Sequence, residues 1–175
     1  MSDAIIENST DEKTRQYVTF LLDSELYALD VQNARTVIHA ARITRLPRTE
    51  PYVVGLIDYR GHGIPLIDLN LKLNVSENLN GNPSEGAHEE REVPPESAVL
   101  IVDLPNGEEH ITVGVIVDEV HEVIALDETT IEPVPAVGTR CDREFLRGFA
   151  RHGDTFLLVL HAERILESGE VARLA

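Results

Sequence analysis

The stretch from Gly55 to Leu73, GLIDYRGHGIPLIDLNLKL, predicts a strand, a tight turn, a second strand and the start of a helix. Apolar residues lie on both sides of the tripeptide Gly61-His62-Gly63, as expected for two strands that enclose a reversal. Glycine adopts left-handed backbone conformations that other residues avoid, so this tripeptide is predicted to form the turn. The stretch therefore predicts a β-hairpin.

Two side chains in this stretch indicate what surrounds the hairpin. Pro65 has no backbone N–H to donate to a sheet, so the second strand is predicted to lie at a sheet edge. Arg60 places a permanent cation beside the turn, directly after Asp58 and Tyr59. Its planar head with several donors suits carboxylates and backbone carbonyls. Arg60 is therefore a candidate binding residue at a corner of the sheet.

Apolar segments in the rest of the chain predict a mainly β protein. Asn106-Gly107 is a strong signal for a two-residue hairpin turn, and the nearly continuous apolar run before it is typical of a buried strand. Two further hairpins are bounded by polar turn residues. The predicted strands are 17–22 with 26–29, 98–104 with 110–117, and 145–152 with 155–161.

Two segments have helical character. Apolar residues recur at helical spacing after Asp30, which predicts a short helix or helical turn capped by Asp30, and residues 162–174 predict a second helix. The residues of the first stripe are Val31, Ala34, Val37 and Ile38.

The composition is that of an acidic globular protein. The 175 residues are 42% hydrophobic, which is enough for one domain or two small lobes with a buried core. Fifteen basic residues stand against thirty-one acidic residues, and the net charge of −16 repels nucleic acid and anionic membranes. Cys141 is the single cysteine of the sequence and cannot form an internal disulfide, which is typical of a reducing compartment.

Two acidic segments contain too few apolar residues to order themselves. Residues 1–14 are predicted to be a flexible tail, and residues 74–97 a mobile loop that a short Gly-Ser linker can replace. The loop is interpreted as a tolerated insertion, with selection of a partner as the alternative. No apolar run approaches the roughly 18 residues of a membrane helix, and the acidic start is unlike a signal peptide, so a cytoplasmic location is expected.

The two halves of the chain are similar to each other. The segment ALDVQNARTVI at 28–38 matches GVIVDEVHEVI at 114–124, and the hairpin stretch from Gly55 aligns with the stretch from Gly148. A repeat of this length predicts a duplicated unit of about five strands. The expected architecture is two small barrels rather than one sheet.

No catalytic, cofactor or metal site is assigned from the sequence. The histidines are not spaced as metal ligands, and the common phosphate-loop, dinucleotide and nucleophile-elbow motifs do not occur. Asp58 and Asp68 flank the predicted turn and could act as an acid–base pair with His62 between them. The alternative is that each carboxylate orients a turn, with Asp68 capping the helix start.

The pattern YxxGLIDYRGHGIPLIDL, which starts at Tyr52, resembles the signature of the CheW-like domain. The resemblance extends from about Tyr17 to Leu166, through FLLDSELYALDVQNARTVI, VGVIVDEVHEVIAL and FLRGFARHGDTFLLVL. It implies a mainly β fold of two intertwined, five-stranded, SH3-like barrel lobes with short helices and a C-terminal helix. The implied domain is 15–175, with lobes at about 15–73 and 98–168 on either side of the loop 74–97.

The resemblance implies an adaptor and not an enzyme. An adaptor of this family couples the cytoplasmic tips of chemoreceptors to the regulatory domain of a CheA-type histidine kinase, and the isolated chain is expected to be a monomer without cofactors. Two alternatives remain, a stand-alone β-barrel that binds a small ligand and a small enzyme using Asp58, Asp68 and His62. The adaptor binds two proteins without turnover, whereas the enzyme needs a pocket lined by those three side chains.

The resemblance also implies interface residues. Arg60 is implied to lie at the mouth of the groove between the lobes, and pairing with a nearby carboxylate or capping of a carbonyl is its alternative role. The implied receptor-binding residues are Arg60, Asp58, Tyr59, Ala34 and Val37. The implied partner-interface glycines, for which plain strand geometry is the alternative, are Gly55, Gly61, Gly114 and Gly148.

Two departures from the family pattern lie on the implied receptor face. Asp58-Tyr59-Arg60-Gly61 replaces the usual Asn-Leu-Arg-Gly, and Thr36 lies where the family commonly has an acidic residue. A receptor preference different from that of swimming chemotaxis is therefore expected. The turn is similar to those of paralogues in receptor arrays that control surface attachment, Wsp-type systems among them.

Overall fold

Eleven β-strands and two short α-helices account for most of the chain that the structure describes. The structure is a computed structural model and describes residues 13–39, 42–47, 49–73, 75, 97–135, 141 and 143–166. The strands are β1 (Thr14–Leu22), β2 (Glu25–Asp30), β3 (Ala34–His39), β4 (Ile43–Thr44), β5 (Val53–Tyr59), β6 (His62–Asp68), β7 (Ala98–Asn106), β8 (Glu109–Val117), β9 (Glu119–Asp127), β10 (Leu146–His152) and β11 (Thr155–Leu160). The helices are α1 (Leu69–Lys72) and α2 (Ala162–Ile165).

The strands form two sheets that exchange strands. Sheet A has the order β10-β11-β2-β1-β9, and sheet B has the order β3-β7-β8-β6-β5-β4. Each sheet combines strands from before and after residues 74–97, so a sheet does not correspond to one contiguous half of the sequence. The predicted mainly β fold with two intertwined lobes is confirmed, and the two-residue strand β4 extends sheet B to six strands.

The internal repeat is visible in the strand order. From β5 onward, sheet B has the order β5-β6-β8-β7-β3. This order matches β10-β11-β2-β1-β9 of sheet A when each strand of one repeat is replaced by its counterpart in the other repeat. The parallel pairs β6 with β8 and β11 with β2 are equivalent under this exchange. The predicted duplication of about five strands is therefore confirmed by the topology.

Three apolar clusters explain why several strands consist almost entirely of apolar residues. The largest cluster contains residues of both sheets, among them Phe20 and Leu100, and each sheet has a smaller cluster of its own. Successive side chains of a strand point to opposite faces. In β7, Leu100 therefore packs into the shared cluster while its neighbours Val99 and Ile101 pack into the cluster of sheet B. The prediction of a buried strand at 98–104 is confirmed.

The predicted helix after Asp30 is wrong beyond its first turn. Asp30 does act as a cap, because its carboxylate accepts a hydrogen bond of 2.9 Å from the backbone N–H of Gln32, but the 3₁₀ turn ends at Asn33. The next residues form β3, which pairs along its length with β7. Thr36, Val37 and Ile38 are β-branched, and a long partner strand with unsatisfied backbone groups outweighs a weak helical spacing.

The prediction that Pro65 marks a sheet edge is also wrong. Pro65 lies in β6, which has β5 on one side and β8 on the other. The pairing of β6 with β8 covers Leu66 to Asp68 and begins one residue after Pro65. An interior strand tolerates a proline there because its ladder with β8 has not yet begun.

The described ends of the two predicted flexible segments are part of the fold. Thr14 belongs to β1 and pairs with Asp127, so the described chain is already in a sheet at that residue. Val75 is buried at 1% exposure, and its N–H donates to the carbonyl of Asn70 at 3.0 Å. Residues 1–12 and 76–96 lie outside the described residues, as do residues 167–175. The helix predicted over 162–174 is wrong beyond its first turn, because α2 ends at Ile165 and Leu166 has an extended backbone.

Candidate partner-binding surface

The hairpin between β5 and β6 turns at Arg60 and Gly61. Tyr59 pairs with His62, and both intervening residues have positive φ, 53° at Arg60 and 82° at Gly61. The predicted turn at Gly61-His62-Gly63 is therefore displaced by one residue, and His62 and Gly63 are exposed residues of β6. A two-residue turn with two left-handed residues matches the twist of paired strands, so the arginine occupies a position that usually favours glycine or asparagine.

Arg60 lies at the apex of this turn with its guanidinium in solvent. The guanidinium carbon is 5.3 Å from the centre of the Tyr59 ring, a distance at which a cation is attracted to the ring face. Within the described part of the chain, Arg60 makes no hydrogen bond and no ion pair. The alternative structural roles, pairing with Asp58 or Asp68 and capping a carbonyl, do not occur among the residues that the structure describes.

The two carboxylates near the turn orient backbone. Asp58 Oδ1 accepts a 2.9 Å hydrogen bond from the N–H of Gly61, and Asp68 Oδ1 accepts one of 3.2 Å from the N–H of Leu71 at the start of α1. The predicted cap at Asp68 is confirmed. The bond from Gly61 to Asp58 stabilises the turn that carries Arg60, because it satisfies a backbone donor in a hairpin loop.

Ala34 and Val37 lie on β3, the edge strand of sheet B opposite to β4. Both are half-buried and pack against the shared apolar cluster, so only part of each side chain is available to a partner. Ile38 of the same strand packs against the cluster of sheet B, as does Tyr59. β3 and the Arg60 turn are therefore joined through one apolar cluster although they lie on different strands.

A polar network on β3 and β7 was not predicted from the sequence. Arg35 Nε donates to Asp103 Oδ2 at 2.5 Å, and Thr112 Oγ1 donates to Asp103 Oδ1 at 2.6 Å. Burial opposes ionisation of Asp103, but the hydrogen bonds from Thr112 and Arg35 outweigh it and lower the pKa of Asp103 below its ordinary value. An aspartate inside an otherwise apolar run was the available signal, because such a charge requires a partner.

Three of the candidate glycines are buried against the chain's own atoms. A Cβ at Gly55 would overlap the carbonyl oxygen of Thr44, and a Cβ at Gly148 would overlap that of Glu132. A Cβ at Gly114 would lie 3.0 Å from the Val99 side chain. The close packing of strands at these three positions explains why glycine occurs there. Gly61 differs because nothing lies within 4 Å, and its positive φ is what favours glycine there.

The described residues contain no group of three or more His, Cys, Asp or Glu side chains that could hold a metal ion. None of the helices in the described segments is long and apolar enough to cross a membrane. Cys141 is buried in the shared cluster. The chemistry that remains on the exposed turn is recognition through a cation and an aromatic ring.

Comparisons with known proteins agree with this description. The family model of the CheW-like domain matches residues 16–170. "Chemotaxis protein CheW" of Treponema pallidum is 25% identical over 95% of this chain and 91% of its own length, and that of Bacillus subtilis is 28% identical over 92% and 90%. The crystal structure of the scaffolding protein TtCheW from Thermoanaerobacter tengcongensis has 32% sequence identity and a TM-score of 0.70, covering 87% of this chain and 92% of that chain.

The fold is that of a two-lobed, mainly β protein with an arginine exposed at a hairpin turn. With the match over most of its length, the chain belongs to the CheW-like domain family. It is a non-enzymatic chemotaxis scaffold that couples chemoreceptors to a CheA-type histidine kinase. The alternatives of a small enzyme and a stand-alone ligand-binding barrel are therefore set aside.

Proposed function

We propose that the turn Asp58 to Gly61 is the surface through which this scaffold contacts chemoreceptors, with Arg60 as its central residue. The observation that carries the proposal is the state of Arg60, an exposed guanidinium that has no hydrogen-bond partner in the described residues. Its backbone is fixed by the two-residue turn and its side chain rests on Tyr59. A cation held in this way binds a partner at a lower cost in conformational entropy than a freely rotating one.

The proposal includes a cytoplasmic location, because the receptor tips and the kinase meet on that side of the membrane. Tyr59 contributes partly buried apolar area beside the cation, and Ala34 and Val37 contribute partly buried apolar area on β3 of the same sheet. Arginine and tyrosine with surrounding apolar contacts are the residue types that dominate protein interfaces.

Arg60→Glu is the direct test of this surface. We expect the variant to remain folded, because Arg60 makes no ion pair within the described residues. Glutamate at this position meets the same steric constraint of a positive φ as arginine does. We expect its affinity for a soluble chemoreceptor tip fragment to fall roughly thirtyfold, about 2 kcal/mol, because a charge is reversed at the centre of the interface. Titration calorimetry measures the affinity, and thermal unfolding checks the fold.

Arg151→Glu is the matched control. Arg151 lies next to the equivalent hairpin turn of sheet A, and its guanidinium is 5.8 Å from the Phe156 ring, so the same charge is reversed beside an aromatic ring on the other lobe. Unlike Arg60, Arg151 also donates a hydrogen bond of 3.2 Å from Nε to the carbonyl of Gly153. We expect this variant to keep receptor affinity. Wild-type affinity of Arg60→Glu, or its unfolding, would show that the turn is not the receptor surface.

A further inference from the structure

A second exposed arginine, Arg35, lies on β3 directly after Ala34. Its side chain is 49% exposed, although its Nε is bonded to Asp103. The bond uses only Nε, and within the segments that the structure describes, no hydrogen bond involves the two terminal nitrogens of Arg35. An arginine anchored at Nε therefore presents its terminal donors outward in a fixed direction.

Asp103 is built to hold this arginine. One carboxylate oxygen binds Arg35 and the other accepts from the Thr112 hydroxyl, while the backbone carbonyl of Asp103 accepts from the Asn33 side chain at 3.1 Å. The side chain of Asp103 is only 18% exposed. The carboxylate is thus oriented from β7 and β8 before any partner binds, which is the arrangement of a residue that positions another.

The apolar cluster of sheet B relates the strand of Arg35 to the Arg60 turn. Ile38, on the same strand as Arg35, and Tyr59 both pack against this cluster. The Tyr59 ring carries Arg60 on its face. Arg35 on β3 and the Tyr59–Arg60 pair at the end of β5 thus belong to segments that pack on the same apolar cluster, and these three residues are here called the arginine surface.

Asp58 and Asp103 offset the formal charge of Arg35 and Arg60, but the outward hydrogen-bond donors of the arginine surface are cationic. The chain has a net charge of −16, yet the two carboxylates beside this surface are both engaged, Asp58 by the N–H of Gly61 and Asp103 by Arg35 and Thr112. The outward donors are those of the two arginines. Guanidinium groups bind carboxylates through paired, charge-assisted hydrogen bonds, so a complementary partner presents acidic side chains.

We infer that Arg35 is a specificity-determining residue of the receptor surface, and that Arg35 and Arg60 together select a receptor segment that presents carboxylates. This inference rests on the proposed function of the Arg60 turn. The partner contact of Arg35 uses its terminal nitrogens, while Asp103 holds the guanidinium in place through Nε. Asp103 is a positioning residue in this arrangement.

A charge swap separates recognition from a purely structural role. The double variant Arg35→Asp with Asp103→Arg restores the internal ion pair but replaces the outward cation on β3 with a carboxylate. We expect its Tm to stay within about 4 °C of wild type, which for a chain of this size is a change of roughly one kcal/mol, and its affinity for the receptor tip fragment to fall at least tenfold. Affinity for the kinase regulatory domain should not change. Wild-type receptor affinity in a folded double variant overturns the inference.

Two further measurements keep the inference testable if the swap does not fold. Arg35→Gln keeps a planar donor head without the charge, and we expect about tenfold weaker receptor binding with a normal fold. The affinity of the unaltered chain should also fall steeply as NaCl is raised, since exposed charge pairs are screened. Unchanged affinity of Arg35→Gln, or no dependence on salt, contradicts the inference.

The Arg60→Glu variant distinguishes the two ways of failing. If Arg60→Glu loses receptor binding and the Arg35 variants do not, the inference about Arg35 is wrong and the proposed receptor surface stands. If neither set of variants changes receptor affinity, the proposed surface itself is wrong. If the double variant loses binding to receptor and kinase alike, the Arg35–Asp103 ion pair stabilises the fold of the lobe and does not select a receptor.

Discussion

Gly148→Val is expected to lower the free energy of unfolding by about 3 kcal/mol or more, or to prevent folding, because the side chain has no space. A Cβ at this position would overlap the backbone carbonyl of Glu132 and lie 2.7 Å from the Ile131 side chain. The neighbouring backbone cannot move away, since Glu132 and Phe149 exchange two hydrogen bonds of 2.8 and 2.9 Å. Relief of the overlap would break both bonds.

Gly63→Val is the matched control for this substitution. Gly63 is also a strand glycine of a hairpin, but it is exposed, and the atom nearest to a Cβ at this position would be a terminal carbon of Leu56 at 3.9 Å. We expect its free energy of unfolding to change by less than about 1 kcal/mol, because valine suits a strand and meets no obstacle. Urea unfolding of both variants gives the comparison. A stable Gly148→Val that loses partner binding would establish the interface role of this glycine instead.

The second large effect is expected when the chain is divided between residues 86 and 87. The fragment 1–86 and the fragment 87–175 should each be unfolded alone, because four of the nine strand pairings join one fragment to the other. The first fragment keeps the hairpin of β1 and β2 but loses β9 and β11 on its two sides, and β3 loses its partner β7. An isolated two-stranded hairpin is marginally stable at best in water.

Mixing the two fragments should restore the fold. Circular dichroism would follow the recovery, and its midpoint should depend on fragment concentration, because folding has become a bimolecular association. The control is an uncut chain in which residues 76–96 are replaced by a Gly-Ser linker, which we expect to remain folded. Cooperative unfolding of either fragment alone would contradict the interpretation that the lobes depend on exchanged strands.

Much of the fold was predictable because hairpins are local. The strands on either side of Asn106-Gly107 and the hairpin at 145–152 with 155–161 follow from apolar runs and turn residues that lie close together in the sequence. The helix predicted after Asp30 failed because a weak local spacing competed with a partner strand that begins at Ala98. Local patterns carry no information on which distant strand completes a sheet.

The candidate site was predictable in part for the same reason. Arg60, Asp58 and Tyr59 are adjacent in the sequence and share one turn, so a single motif identifies them. Arg35 and Asp103 are 68 residues apart and become neighbours only when β3 pairs with β7. Asp103 stood out as a charge in an apolar run, but the sequence alone did not indicate which cation would hold it.

The exchange of strands has a mechanical consequence for a protein that connects two partners. Bending one lobe against the other about a single linking peptide is resisted, because strand ladders from each half run through both sheets. The hairpin turns at Arg60 and Gly153 occupy equivalent positions in the two sheets, so both are attached to this shared framework of strands. A displacement applied at one turn is therefore expected to reach the other turn as a rigid-body movement of the whole protein.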